Sequence, residues 1–120
     1  MKTTVFLVGA GPGDPGLITV KAEKLLKIAD VIVYDYLSNP IFLNKANNNC
    51  KLINAGKRLG FKAMSQAQIN KKLVSLAKQK YKNIVRLKGG DPLLFGRGGE
   101  EAEYLKKNKI NFEIVPGITS

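Results

Sequence analysis

The 120-residue sequence predicts an α/β fold, a five-stranded, mostly parallel sheet flanked by helices. Two observations carry this prediction. Short apolar runs alternate with longer segments whose apolar residues recur at helical spacing. Glycine-rich segments follow the apolar runs, and right-handed crossovers bring the carboxyl ends of parallel strands to one edge. We therefore expect these segments to share the edge at which such sheets bind ligands.

The first strand is predicted over residues 5–8, where a short apolar run stopped by glycine indicates a strand buried on both faces. A glycine-rich segment, residues 9–16, separates this strand from a helix predicted over residues 17–29. The second strand is predicted over residues 31–34 and ends at Asp35. The apolar residues expected on or near one face of the helix are Leu17, Val20, Leu25 and Ile28.

A short helix is predicted over residues 41–47, because Pro40 suits a first helical turn and three asparagines follow. A weak third strand is predicted over residues 52–55. The next helix begins at Ser65, which forms a capping-box pattern with Gln68, and extends to about Lys80. Its buried residues are expected to be Ile69, Leu73, Leu76 and Ala77.

The fourth strand is predicted over residues 84–87 and leads into a glycine-rich stretch. The last helix has acids at its start, Glu100 and Glu101, and lysines at its end, as the helix dipole favours. The fifth strand is predicted over residues 112–115. This length suits one domain over residues 1–120.

Composition excludes several kinds of site. The sequence has no histidine and one cysteine, Cys50, so this chain cannot form a Ser-His-Asp triad, a Cys-His pair or a His- or Cys-rich zinc site. No metal site is predicted, and Cys50 is expected to be a structural thiol. No apolar run approaches the roughly 20 residues of a membrane span. The start of the chain lacks the pattern of a secretory signal, so we expect a cytoplasmic protein.

The net charge of +11 has two explanations. It suits a partner rich in carboxylates or phosphates, or it reflects a surface solvated by lysine. The basic residues are scattered, with no long basic block and no aromatic-interleaved stripe. We therefore predict no nucleic-acid partner.

Residues 11–16, GPGDPG, match the pattern G-x-G-x-x-G, and Asp35 lies about where a ribose-binding acid would follow. A dinucleotide site uses backbone N–H groups to bind the pyrophosphate. Pro12 and Pro15 lack that donor, and Asp14 adds a negative charge. The loop is therefore better suited to a ligand without phosphate, although a non-catalytic dinucleotide-binding module stays open as an alternative.

Three segments together resemble the signatures of the tetrapyrrole methylases. They are residues 5–22 (VFLVGAGPGDPGLITVKA), residues 85–101 (beginning VRLKGGDP and ending FGRGGEE) and residues 115–120 (VPGITS). Within that superfamily, residues 56–58 and the stretch ending in GRGGEE most resemble the uroporphyrinogen-III C-methyltransferases. The resemblance spans nearly the whole chain. The matching part of those two-domain proteins is their N-terminal domain. By this resemblance, we expect the C-terminal domain of such proteins to be absent from this sequence.

The resemblance implies methyl transfer from S-adenosyl-L-methionine to two pyrrole carbons of uroporphyrinogen III, an acidic tetrapyrrole. The product would be precorrin-2, used for sirohaem and cobalamin. It also implies a homodimer for the full-length protein. Because family members bind cofactor and substrate between two domains, we expect this chain alone to be inactive and to bind the cofactor weakly. A related precorrin methylase with another tetrapyrrole substrate is the nearest alternative.

The resemblance also implies residue roles. Asp35 would be the proton acceptor and Lys57 the proton donor, although Lys57 could equally clamp a substrate carboxylate. By their chemistry, Arg58 and Arg97 could bind substrate carboxylates. Lys57 and Arg58 could instead belong to a solvated loop, and Arg97 could pair with Glu100 or Glu101. The implied cofactor contacts are Pro12, Gly89, Gly90, Asp91, Leu94, Thr119 and Ser120.

The sequence departs from the family pattern in two places. Where the family usually has Arg and then Leu-Val after the Tyr-Asp pair, this chain has Tyr36, Leu37 and Ser38. A histidine is usual near position 62, which is Lys62 here. We expect these departures to affect binding or choice of substrate more than cofactor binding.

Overall fold

The computed structural model describes residues 2–9, 19–35, 40–56, 60, 62–88 and 98–116. Within these ranges, five strands alternate with three α-helices and a 3₁₀ helix. The elements in chain order are β1 (Thr4–Gly9), α1 (Val20–Ile28), β2 (Val31–Tyr34), the 3₁₀ helix (Pro40–Lys45), β3 (Lys51–Asn54), α2 (Gln66–Lys78), β4 (Asn83–Lys88), α3 (Gly98–Lys107) and β5 (Asn111–Val115).

The five strands form a sheet in the order β3-β2-β4-β1-β5, and every neighbouring pair is parallel. The predicted α/β class and five-stranded sheet are confirmed, and the sheet is parallel throughout rather than mostly so. The predicted short helix is present as a 3₁₀ helix. No helix in the described ranges is long and apolar enough to cross a membrane.

Helices cover both faces of the sheet. Val5 and Leu7 of β1 pack against α2 and α3, while Val8 packs against α1. This alternation follows from the two-residue period of a strand. Helices α1 and α3, which follow β1 and β4 in the chain, therefore lie on opposite faces of the sheet. Sheets with this arrangement form a ligand crevice at their carboxyl edge.

The start of each of the first two α-helices is set by a side-chain cap. Thr19 Oγ1 accepts a hydrogen bond from the Ala22 amide at 3.1 Å. At α2, Ser65 Oγ accepts from the Gln68 amide at 3.1 Å, and Gln68 Oε1 accepts from the Ser65 amide at 2.8 Å. The predicted capping box is therefore confirmed.

The predicted apolar face of α1 is partly wrong. Val20 is 70% exposed and Ile28 is 53% exposed, whereas Leu25 is buried. The buried side chains are Ala22, Leu25, Leu26 and Ala29. These positions follow the i, i+3, i+4, i+7 pattern of one helix face, and the two exposed residues fall outside that stripe. Leu17 lies outside the described residues. In α2, the predicted buried residues are confirmed.

Candidate active site

The carboxyl edge of the sheet divides into two halves. Strands β4, β1 and β5 are neighbours, with Gly9 opposite Lys88 and Val8 opposite Val115. The segments that follow these strands therefore start side by side. The implied cofactor contacts all belong to these three segments and lie outside the described residues: Pro12, Gly89, Gly90, Asp91, Leu94, Thr119 and Ser120.

The other half of the edge is formed by β2 and β3. Asp35 directly follows β2, and residues 57–59 come shortly after β3. The base of that second connection is closed by two hydrogen bonds, from the Gly56 amide to Asn54 Oδ1 at 2.8 Å and from the Met64 amide to the Ala55 carbonyl at 2.9 Å. Lys57 and Arg58 themselves lie outside the described residues, as does Arg97.

Of the two predicted catalytic residues, Asp35 and Lys57, the structure describes Asp35. Its side chain is 37% exposed, so part of the carboxylate faces the edge of the sheet. Both of its oxygens accept hydrogen bonds from Arg86 Nη2, at 3.0 Å for Oδ1 and 2.9 Å for Oδ2. Hydrogen bonds between ionised groups are among the strongest in proteins, so this contact restricts the orientation of the carboxylate.

Arg86 belongs to a buried ion network. Its Nε donates to Glu101 Oε2 at 3.0 Å, and its Nη1 donates to the Leu87 carbonyl at 3.3 Å. Lys88 Nζ donates to Glu101 Oε1 at 3.4 Å, and Gln66 Nε2 donates to Glu101 Oε2 at 3.2 Å. The two cationic side chains, Arg86 and Lys88, thus balance the two anionic side chains, Asp35 and Glu101, in formal charge.

The network forms because three elements meet at the carboxyl end of β4. Ile84, Arg86 and Lys88 alternate onto one side of that strand, and Ile84 packs in the core beneath α2 and α3. The first turn of α3 brings Glu101 to the two cations, and Gln66 belongs to the first turn of α2. In the described part of the chain, every buried side-chain nitrogen or oxygen has a hydrogen-bond partner.

No site role is predicted for Arg86 or Lys88 from the sequence, and Glu101 is predicted as an acid at the start of a helix. The available signal was the sequence of β4 itself. Arg86 and Lys88 are two residues apart in a strand whose neighbours are apolar, so both cations project to one buried face. A buried charge must be paired, which predicts acidic partners on the covering elements. Glu101 fills this role. Arg97, for which Glu100 or Glu101 was the alternative partner, lies outside the described residues.

The family departure at position 62 falls on the surface. Lys62 is exposed and lines an open groove beside β3 and α2, together with Asn54, Met64, Gln68 and Lys72. Tyr36, Leu37 and Ser38 lie outside the described residues. Among the side chains that the structure places, no three acidic or cysteine residues lie together as a metal site requires.

The methylase family model, Tetrapyrrole (Corrin/Porphyrin) Methylases, matches residues 4–120. The chain is 58% identical over 116 residues to a uroporphyrinogen-III C-methyltransferase of Bacillus subtilis strain 168, covering 97% of this chain and 45% of that protein. It is 52% identical over 116 residues to a siroheme synthase of Pseudoalteromonas translucida strain TAC 125, covering 97% and 24% respectively. The chain thus spans less than half the length of these two relatives.

A solved structure has the same fold. It is the uroporphyrin-III C-methyltransferase of Thermus thermophilus complexed with S-adenosylhomocysteine, with a TM-score of 0.81 and 43% sequence identity. The match covers 97% of this chain and 45% of that chain. The match of the family model to residues 4–120 agrees with the three sequence signatures and the parallel sheet. This chain therefore belongs to the tetrapyrrole methylase family.

Proposed function

We propose that this chain is the N-terminal half of an S-adenosylmethionine-dependent enzyme that methylates uroporphyrinogen III to precorrin-2. The observation that carries the proposal is the placement of Asp35. This chain belongs to the tetrapyrrole methylase family, and its partly exposed Asp35 carboxylate, at the carboxyl edge of the sheet, is held by the buried Arg86. A proton acceptor fixed at the ligand-binding edge is what C-methylation of a pyrrole ring needs.

S-adenosylmethionine supplies an electrophilic methyl group on its sulfonium sulfur. The residues that would hold this cofactor are Pro12, Gly89, Gly90, Asp91, Leu94, Thr119 and Ser120. They follow three adjacent strands, β4, β1 and β5, so the sheet order supports a common site for them. Glycines allow a ligand to approach the backbone closely, and an acid beside them can accept hydrogen bonds from ribose hydroxyls or an ammonium group.

The substrate would occupy the β2–β3 half of the edge. When a pyrrole carbon forms its bond to the transferred methyl group, the carbon–sulfur bond breaks and its electron pair stays on sulfur. Asp35 accepts the one proton that the macrocycle loses for each methyl group it gains. Lys57, the implied proton donor, would serve proton shifts within the macrocycle that leave this balance unchanged. Arg58 and Arg97 bind carboxylates of the substrate. The net charge of +11 supports recognition of an octacarboxylate.

The remainder of the proposed protein is a C-terminal domain that forms the opposite wall of the cofactor and substrate cleft. The full-length protein is a cytoplasmic homodimer in this proposal, and the product serves sirohaem or cobalamin formation. The siroheme synthase relative supports the first of these uses. Light scattering of the full-length protein measures the assembly, and a monomer at micromolar concentration would contradict the homodimer.

Two measurements on the full-length protein and on the 120-residue chain test the proposal. Calorimetric titration with S-adenosylhomocysteine and with NAD measures ligand binding, and an assay with uroporphyrinogen III measures turnover. The full-length protein is expected to bind S-adenosylhomocysteine and to turn over uroporphyrinogen III. NAD binding without any response to S-adenosylhomocysteine would instead support a dinucleotide module. Preference for a cobalt-precorrin would indicate a related methylase.

The isolated chain is expected to bind S-adenosylhomocysteine weakly and to lack turnover. Circular dichroism of the same sample establishes whether the chain is folded during the titration. Turnover by the isolated chain would contradict the need for a second domain.

A further inference from the structure

Glu101 contacts the two cations at the carboxyl end of β4 with different oxygens. Its Oε2 accepts from Arg86 Nε at 3.0 Å, and its Oε1 accepts from Lys88 Nζ at 3.4 Å. Its side chain is fully buried, and the two cationic side chains are nearly so. Because an unpaired buried charge is costly, Glu101 helps to fix the position of both cations, holding Arg86 together with Asp35 and Lys88 through its own ion pair.

The two contacts lead to different parts of the candidate site. Arg86 uses its remaining nitrogen, Nη2, to hold both carboxylate oxygens of Asp35. Lys88 ends β4 just before residues 89–97, and Glu101 follows that segment in the first turn of α3. The Lys88–Glu101 ion pair therefore links the last residue of β4 to the first turn of α3, and most of the proposed cofactor contacts lie between these two residues in the sequence.

We propose that Glu101 is a positioning residue that acts on both halves of the active site. Through Arg86 it orients the proton acceptor Asp35, and through Lys88 it ties the end of β4 to the first turn of α3, the two elements that flank residues 89–97 in the sequence. Neither Glu101 nor Arg86 needs to touch substrate or cofactor in this arrangement. The inference rests on the proposed methyltransferase function, because it assigns the two halves to proton transfer and cofactor binding.

The arrangement predicts a specific division of kinetic effects in the full-length protein. Arg86→Lys cannot span Glu101 and Asp35 together, so kcat is expected to fall about 100-fold while affinity for S-adenosylhomocysteine changes less than about twofold. Lys88→Met is expected to lower that affinity about tenfold with a smaller effect on kcat. Glu101→Gln keeps the shape of the side chain, and both quantities are expected to fall.

Two comparisons separate positioning from general destabilisation. Glu113→Gln makes the same chemical change in an exposed ion pair with Lys21, and it is expected to leave kcat and affinity unchanged. In an Asp35→Asn background, Arg86→Lys is expected to lower kcat by less than about twofold further, because it acts through Asp35. Equal, multiplicative losses in all variants, parallel to their melting temperatures, would overturn the proposal.

A spectroscopic measurement tests the coupling without relying on activity. Glu101→Gln is expected to shift the carboxyl-carbon NMR resonance of labelled Asp35, although no hydrogen bond joins these two side chains. Asp30 is the internal control, because it accepts from the Lys82 and Asn83 amides at the opposite edge of the sheet. Its resonance should stay in place.

If Glu101→Gln does not fold, Gln66→Ala removes a donor to the same Oε2 atom and leaves the charges paired. It is expected to shift the Asp35 resonance while the Asp30 resonance stays in place. An unmoved Asp35 resonance in a folded variant would overturn the coupling. A shifted Asp35 resonance in a folded variant, combined with a wild-type protein that neither binds S-adenosylhomocysteine nor turns over uroporphyrinogen III, would support the coupling and reject the methyltransferase function.

Discussion

Arg86 on β4 holds Asp35 at the end of β2 through one nitrogen, Nη2, which lies 3.0 and 2.9 Å from the two carboxylate oxygens. The arginine is buried, while the aspartate is partly exposed at the carboxyl edge of the sheet. This asymmetry combines a partly exposed aspartate side chain with a hydrogen bond from a buried, fixed donor. The contact therefore suits a group that exchanges a proton with a ligand and must keep its orientation.

Replacing Asp35 with Asn tests its proposed role. The amide keeps the size of the side chain and cannot accept a proton from the macrocycle at neutral pH. In the full-length protein, kcat is expected to fall by about 100-fold or more. Affinity for S-adenosylhomocysteine should change little, because the proposed cofactor contacts follow other strands. Turnover within about twofold of the wild-type rate would exclude Asp35 as the proton acceptor.

Removing the Arg86 charge should destabilise the protein strongly. Arg86→Met removes one of the cationic partners of the buried Glu101 carboxylate. Breaking a buried ion pair in this way is expected to lower the free energy of unfolding by about 3–5 kcal/mol. Lys21→Met breaks an exposed pair with Glu113 and is expected to cost less than about 1 kcal/mol. Urea unfolding followed by circular dichroism measures both changes. Similar losses for the two variants would argue against a desolvated network.

The cap of α2 gives a prediction about local stability. Ser65→Ala removes the acceptor for the Gln68 amide and is expected to lower the free energy of unfolding by about 1 kcal/mol. Ser75→Ala is the control, because Ser75 is exposed within the same helix and alanine is the better helix former there. The control should be neutral or slightly stabilising. Thermal and urea unfolding of both variants distinguish the two positions.

Cys50 gives a prediction about alkaline pH. Partial burial raises the pKa of its thiol, and the negative charge of Asp30 adds to the increase. Reaction with a disulfide reagent near neutral pH should therefore be slower in the folded protein than in urea. The neutral thiol contributes stability that is fully present below its ordinary pKa near 9.0 and is lost as pH rises through the higher folded value.

Unfolding free energies at neutral and alkaline pH test the sign of this effect. The wild-type protein should lose more stability across that range than Cys50→Ala, which lacks the titrating group. A larger alkaline loss in Cys50→Ala would contradict the direction of the pKa change.

Much of the fold followed from local patterns. The capping box of Ser65 and Gln68 marked the start of α2, and the apolar spacing in that helix identified its buried residues. The buried face of α1 was harder to predict, because Val20 and Ile28 are apolar yet exposed. A helix this short has few turns over which to average the pattern, so two exposed apolar residues shifted the inferred face.

The sequence by itself determined the α/β class, the family resemblance and the position of Asp35 at a strand end, because these depend on residue order and local spacing. Only the tertiary structure decided that Arg86 reaches Asp35 and that Glu101 pairs with Arg86 and Lys88. Glu101 is 15 residues from Arg86 along the chain, and Asp35 is 51 residues from it. Such pairing depends on strand order and on how α3 packs against the sheet, which local sequence patterns do not specify.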